Sequence, residues 1–273
     1  MGISIFSAQA KAYCIDNWAC FSLERHSQGV DVFLENKKPY VITSTLLLLT
    51  KNLRTDSESE HIESHNKYEV TRVLTGFDRQ RVLSLKTGDA DLGFDIENYE
   101  FNWTPGNMHA EHNEKYVYQK PYAKKKKYAV IQGFGGGWSH RGASKYAVDF
   151  GMPVGTPVHA ARSGVVIDVT ERHNRGGASR RYARYANFVT ILHDDDTTGE
   201  YYHLKQYGAA VDIGQHVKRG DLIGYSGNTG FSSMPHLHFA VYRARSHGNF
   251  ESIPIKFNTP IKKPRWQTEA KTK

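Results

Sequence analysis

The chain has no run of about 18 apolar residues. Its longest apolar stretch, Leu46–Leu49, is strand-sized, which excludes a mature transmembrane helix. Cysteine is almost absent: Cys14 and Cys20 are the only two in 273 residues. That excludes a disulfide-dense secreted scaffold and a cysteine-rich zinc finger. No segment holds a helical period over several turns, so a helical architecture is excluded as well. The first ten residues, MGISIFSAQA, lack a basic start and a full apolar region. No intact secretory signal is therefore read there, yet Ala8–Ala10 has the small-residue form of a cleavage site. Residues 1–10 are taken as a candidate signal remnant.

What is present is a globular composition, 39% hydrophobic and 12% aromatic, on a chain long enough for two cores. Lysine plus arginine is 36 against 28 acidic residues, a net +8. Such a balance suits polyanionic surroundings without choosing among nucleic acid, anionic membrane and cell-wall polymer. On a straight strand Cys14 and Cys20 would stand about 20 Å apart, whereas a disulfide needs α-carbons within about 7 Å. A bridge requires the chain to reverse at Asp16-Asn17, which are good turn residues. Two separate small core residues is the other reading, and composition leaves both open.

Texture divides the chain. Residues 1–105 read as a β-sandwich-like module: Val30, Val32 and Leu34 alternate, a turn follows at Glu35–Pro39, and apolar pieces recur between Gly, Asp and Asn. Residues 106–127 read as a basic connector ending in Lys124–Lys127, a run that suits a solvated face. From residue 128 to 250 glycine becomes frequent and short β-type runs continue. GTPVHAARSGVVIDV and GQHVKRGDLIGYSGNTG share a turn–strand–glycine–strand pattern, which predicts a hairpin-rich, sandwich- or barrel-like domain. Biotin and lipoyl carriers have a similar texture but present a lysine at a hairpin tip; GYSGNTG has none. Residues 251–273 read as a C-terminal tail that frays. The fold class predicted is mostly β throughout.

The chemistry concentrates in three segments. In MPHLHFAVY, His236 and His238 are two apart, so a strand puts both on one face while Leu237 points into a core. In GGGWSHRGASKYAVDFGMP, His140 follows a glycine run, and Asp149 interrupts an apolar strand where a carboxylate needs a partner. In GEYYHLK, His203 ends an aromatic strand. A catalytic zinc takes about three N or O ligands and keeps a position for water. It lowers the pKa of that water and polarises a carbonyl, and a nearby base moves the proton. Two histidines and one aspartate would satisfy the metal, and two histidines remain for proton transfer and oxyanion stabilisation.

These segments, with VDFGMPVGTPVHAARSGVV and GQHVKRGDLIGYSGNTG, resemble the M23 peptidases, the lysostaphin- or LytM-type zinc endopeptidases that cut peptidoglycan peptides. The resemblance covers roughly residues 130–245 and implies a peptidase domain of the duplicated-hybrid type. It implies one Zn2+ per chain held by His140, Asp149 and His238, with His203 and His236 as the catalytic histidines. Asn187 matches a polar position near that site. Two departures stand out: Asp149 comes nine residues after His140 where the shorter family pattern places it four after, and Met234 replaces a glycine common before the last motif's proline. The resemblance reaches weakly into residues 13–50, where YCIDNWACFSLE is similar to the front module of Gram-negative envelope members. It thereby implies a periplasmic, secreted or envelope location and, in that compartment, a Cys14–Cys20 bridge. The partners implied are peptidoglycan peptides and anionic envelope polymers, with no specific nucleic acid.

Other histidines have plainer readings. His61 and His65 in HIESH lack the glutamate zincins place after the first histidine. His109 and His112 read as connector surface, and His159 and His216 as ordinary strand residues. Asp194–Asp196 lack the alternating ligands of a calcium loop and read as a solvated turn. GFGGGW lacks the lysine of a phosphate-binding loop and reads as a flexible groove wall beside His140. The basic segment 171–187 reads as a nucleic-acid contact, as a plain solvated loop or, within the peptidase resemblance, as an insertion at the cleft edge suited to contact with substrate or wall polymer. Two further functions compete with the enzyme: a non-catalytic LytM-like activator of cell-wall amidases, which would lack metal ligands, and a basic wall- or nucleic-acid-binding module with a vestigial site, whose binding would be salt-sensitive.

Overall fold

The computed structural model describes residues 11–55, 65–262 and 264–269. Candidate remnant 1–10 and His61 lie outside the described residues. The chain divides into two units, one formed by Met1–Met108 with Ala244–Asn249, the other by His109–Arg243 with Phe250–Lys273. Both are built from β-strands. The described helical content is one short α-helix, Arg265–Glu269, and two 3-10 turns, Gly142–Ser144 and Arg180–Tyr185. No described helix is long and apolar enough to cross a membrane.

The first unit contains a five-stranded and a three-stranded sheet. The central strand of the smaller sheet is Ile42–Lys51, flanked by His65–Leu74 and Asp95–Pro105. Leu46 and Leu48 are fully buried while Leu47 and Leu49 are half-buried, the alternation a one-sided sheet requires. Aromatic rings join the two sheets: Phe21 meets Tyr99 and Phe101, and Trp18 stacks on Trp103 at 4.7 Å. Each such pair contributes about 1 kcal/mol beyond its burial. The excursion Ala244–Asn249 completes this unit, with His247 N donating to Thr45 Oγ1 and Thr104 Oγ1 donating to Asn249 O.

Asp16 and Asn17 both take left-handed backbone, φ 52° and 53°, and Trp18 N donates to Ile15 O. This is the primed turn whose twist suits a tight hairpin, and Asp and Asn are the non-glycine residues that tolerate it best. The reversal sets Cys14 opposite Cys20, α-carbons 4.0 Å apart, and a disulfide joins them. Closing so short a loop is expected to contribute about 2 kcal/mol. The double variant Cys14→Ser/Cys20→Ser should therefore show its first unfolding transition at lower urea; an unshifted midpoint would contradict this.

The second unit has one large antiparallel sheet. Its strands run, side by side, Val130–Gln132, Val148–Phe150, Leu237–Ala244, Thr198–Tyr202, Phe188–Leu192, Gly164–Thr170 and His216–Val217. A three-stranded sheet, Pro157–His159, Leu222–Ser226 and Leu204–Ala209, lies within the same unit. None of these sheets closes into a barrel. Leu237, Phe239, Val241, Tyr201, Val189 and Ile191 point to one face and form the core with Val158, Leu204 and Ile223 of the smaller sheet. The alternate residues His238, Tyr202 and Glu200 face the other side, where the site lies.

Two stretches differ from their sequence reading. The segment taken as a connector contributes to a core: Tyr118 and Tyr122 are buried in the second unit, while Asn113–Lys115 and Ala123–Lys127 are exposed. Nor does the segment after residue 250 fray as a whole, because Ile253, Ile255, Phe257 and Ile261 pack on that core and Lys256–Phe257 pairs with Val117–Tyr118. The His112 side chain is likewise covered, 5% exposed, beside Asp195 at 3.1 Å. Asp194 and Asp195 are not a free solvated turn, since both pair with the buried Arg162 guanidinium. Burial would raise the Asp195 pKa, but His112, Thr197 and Arg162 hold it well below the usual carboxylate range.

Candidate active site

Strand pairing builds the site. Asp149 lies opposite His238, and His238 lies opposite Tyr202, so three neighbouring strands present these side chains in one row. His236 enters just before its strand, bridged to Gly227. His203 follows Tyr202 in left-handed backbone, φ 67°. For a residue with a Cβ that conformation costs about 1–3 kcal/mol and persists only where surroundings impose it. It turns the imidazole from a strand end toward the other histidines: the His203 and His236 rings are 4.6 Å apart and the His203 and His238 rings 5.9 Å.

His140, Asp149 and His238 offer one ligand atom each, all within 4.8 Å of one another. Asp149 Oδ1 is 3.1 Å from His140 Nε2 and 2.8 Å from His238 Nδ1. His140 Nδ1 donates to Gly133 O at 3.0 Å, which leaves the buried Nε2 as a lone pair with no hydrogen-bond partner. His238 Nδ1 is within hydrogen-bond distance of Asp149 Oδ1, and its Nε2 has Tyr242 Oη at 3.4 Å. Two imidazole nitrogens thus converge on one carboxylate oxygen, a His–Asp–His donor set that a divalent cation can take in place of the protons. These residues fit a metal ion. Burial would raise the Asp149 pKa; hydrogen bonds and charge from His140 and His238 prevail and hold it well below the carboxylate range. The nine-residue spacing is absorbed by the Gly142–Ser144 turn, so the longer loop still delivers His140 to the aspartate.

The remaining histidines are held by their Nδ1 atoms. His203 Nδ1 donates to Thr229 O at 2.7 Å and His236 Nδ1 to Met234 O at 2.8 Å. Each leaves Nε2 as a free lone pair, and that of His236 lies 3.8 Å from Asp149 Oδ1. Burial, reinforced by His236 and His238, pushes His203 down to about 3, so it is neutral at physiological pH. All five residues singled out from the sequence are therefore brought to one place. Four of them, all but His140, line a cleft of about 650 Å³.

Several supporting residues escaped the sequence reading. Gln132 donates to Asp149 Oδ2 at 3.1 Å and to Ser139 Oγ at 2.7 Å. Gly136 is what lets it pass, because a Cβ there would fall 2.3 Å from Gln132 Cγ. That close approach gives one glycine of the GFGGGW wall a packing role. Ser232 Oγ lies 3.1 Å from His236 Nδ1. Asn187, a position flagged without a role, is buried and ties loop to strand: its amide donates to His173 O and Leu204 O, its Oδ1 accepts from His173 N, and its backbone N donates to Thr229 Oγ1. It thus braces both the residue after His203 and the residue that orients its ring. Asn187→Ala is expected to cost about 1–3 kcal/mol in unfolding free energy; a change within experimental scatter by urea denaturation would remove this role.

The cleft rim carries the sequence departures. Met234 is half exposed there, and Trp138 is 74% exposed. The basic segment forms a wall through Arg180 and Ala183 of the Arg180–Tyr185 turn, with Arg175 and Arg184 stacked near Tyr185.

The fold and the site define a β-sheet domain with a His–Asp–His centre able to hold a metal and two further histidines beside it. Residues 143–250, which lie mostly in the second unit, match the model of Peptidase family M23. His140 falls just before the matched region, so only the geometry brings it in. Lysostaphin of Staphylococcus simulans is 38% identical over 99 residues, 36% of this chain and 18% of that protein. The peptidoglycan DD-endopeptidase ShyA of Vibrio cholerae is 38% identical over 124 residues, 45% of this chain and 26% of that protein. The solved structure of lysostaphin aligns at 31% identity over 49% of this chain and 51% of its own, with a TM-score of 0.36. The chain thus spans about a fifth to a quarter of the length of these curated relatives.

Proposed function

We propose that this chain is a zinc endopeptidase that hydrolyses peptide cross-links of bacterial peptidoglycan in the periplasm or cell envelope. The observation that carries the reading is the convergence of His140, Asp149 and His238 beside two Nε2 lone pairs in one cleft. An amidase activator or a wall-binding module has no need of all five. Relatives whose names are endopeptidase names supply the substrate class. The net charge of +8 suits an anionic wall.

His140, Asp149 and His238 would hold the zinc. Bound there, zinc supplies Lewis-acid activation of water and of the scissile carbonyl. The protein supplies the proton traffic. His236 Nε2 or His203 Nε2 accepts the proton of the attacking water; the Nε2–H so formed hydrogen-bonds the oxyanion and then passes its proton to the leaving amine, while the lone pair of the other Nε2 accepts the water's second hydrogen. Backbone carbonyls of Met234 and Thr229 fix both rings, so little reorganisation is needed during the reaction. Gln132 holds Asp149 Oδ2, leaving Oδ1 toward the two imidazoles.

The test is digestion of isolated peptidoglycan by the zinc-loaded chain, with the fragments resolved by mass. Cross-linked dimers should fall and monomers rise, and the new termini name the bond. Dimers that persist while an added amidase accelerates would instead support the activator.

A further inference from the structure

The mechanism leaves one side chain of this cleft unexplained. Glu200 lies in the strand Thr198–Tyr202, two residues before Tyr202, and so faces the same side of the sheet. It stands opposite Ala240 and Thr190, and Thr190 stands opposite Asp168. His238 is two residues from Ala240, which makes Glu200 and His238 diagonal neighbours about 7–8 Å apart in backbone position. The carboxylate lines the cleft yet is only 8% exposed.

Its partners are all neutral. Thr198 Oγ1 is 3.4 Å away and the Tyr202 hydroxyl bonds to it. Among the described residues Asp149 and Glu200 are the two buried acids. Asp149 has imidazoles on one oxygen, whereas no described lysine, arginine or histidine pairs with Glu200. Asp168 in the same cross-strand row adds like charge. Burial pushes Glu200 up to about 7, as expected of a carboxylate that lacks a cation. Nothing in the packing calls for an acid opposite Ala240, and a buried carboxylate without a counter-charge is costly. Tyr202 and Tyr242 line the cleft beside it, and rings of this kind favour a cation.

We propose that Glu200 is the subsite for a positively charged primary amino group on the substrate peptide, seated beside the scissile amide. The proposal rests on the peptidase reading and adds a substrate requirement to it: of two otherwise identical cross-linked peptides, the one with a free amine next to the cut bond is preferred. An ammonium offers three donors and a compact charge to the carboxylate, which acetylation removes.

The test uses one synthetic cross-linked peptide dimer with a single free amine and its N-acetylated twin. With the zinc-loaded full chain, kcat/KM for the amine should exceed that for the acetylated dimer at least about tenfold, mainly through KM. In Glu200→Gln, which keeps size and hydrogen-bonding capacity, the ratio should fall to within about twofold of one. Equal rates for the two dimers in the natural chain would overturn the subsite and need no variant. A Glu200→Gln ratio equal to that of the natural chain, or an equal loss of kcat on both dimers, would overturn it as well, the latter by assigning Glu200 to the chemistry or the fold. If neither dimer is cut, the peptidase reading fails and binding decides the subsite alone. Fluorescence of the cleft tryptophans Trp138 and Trp266 then reads Kd, with about tenfold tighter binding of the amine expected in the natural chain and equal binding in Glu200→Gln. Equal affinities in the natural chain would overturn the proposal.

Discussion

Asp149→Ala is expected to lower bound zinc from about one per chain to below about a tenth, and peptidase activity with it. The argument is local. One oxygen of this carboxylate faces both His140 Nε2 at 3.1 Å and His238 Nδ1 at 2.8 Å, and Gln132 holds the other. Without the carboxylate, two neutral nitrogens remain to hold a divalent ion, with no anionic ligand to offset its charge. Asp149→Asn is the sharper control: it keeps the volume and removes only the charge. Zinc analysis of purified protein by mass spectrometry reads the result. Stoichiometric zinc in Asp149→Ala would place the metal elsewhere.

His236→Ala is expected to do the opposite: keep zinc near one per chain and lower kcat by about 10² to 10⁴. Its Nε2 lies 3.8 Å from Asp149 Oδ1 while its Nδ1 is occupied by Met234 O, so in the proposed mechanism it moves a proton and does not hold the ion. His203→Ala should share the loss of kcat with metal retained. Alanine keeps the Cβ, so the strain of the left-handed backbone at that position stays and the loss of the ring's hydrogen bond to Thr229 O adds to it. Turnover of His236→Ala within about fivefold of the natural chain would reassign the base.

Strand periodicity and motif spacing carried much of this account. Val30, Val32 and Leu34 alternate as written, the Leu46–Leu49 run is a central strand, and the i, i+2 pair His236 and His238 shares a cleft. Asp149 in its apolar strand meets the partners a buried carboxylate needs. What stayed hidden depends on contacts between distant segments that no local pattern encodes. Tyr118 and Tyr122 look like connector residues beside Lys124–Lys127, yet they are buried because other strands supply the apolar surface they cover. Arg162 and Asp195 are 33 residues apart and pair only once the sheet forms. Gln132, Thr229 and Ser232 act through single hydrogen bonds to histidines or Asp149, and polar residues in glycine-rich turns give no periodic signal. The charge of Glu200 was visible from the start; that it lacks a counter-charge emerges only once its neighbours across the sheet are known.

The central claim is that one zinc at His140, Asp149 and His238 makes this chain a peptidase of wall cross-links. Its most direct test is to strip the full chain with a chelator, add zinc in sub-stoichiometric steps, and follow cleavage of cross-linked dimers at each step. Activity should be absent in the stripped protein, rise linearly, and break at one zinc per chain. Cleavage that survives stripping, or zinc that binds at one per chain without restoring any cleavage, would contradict it.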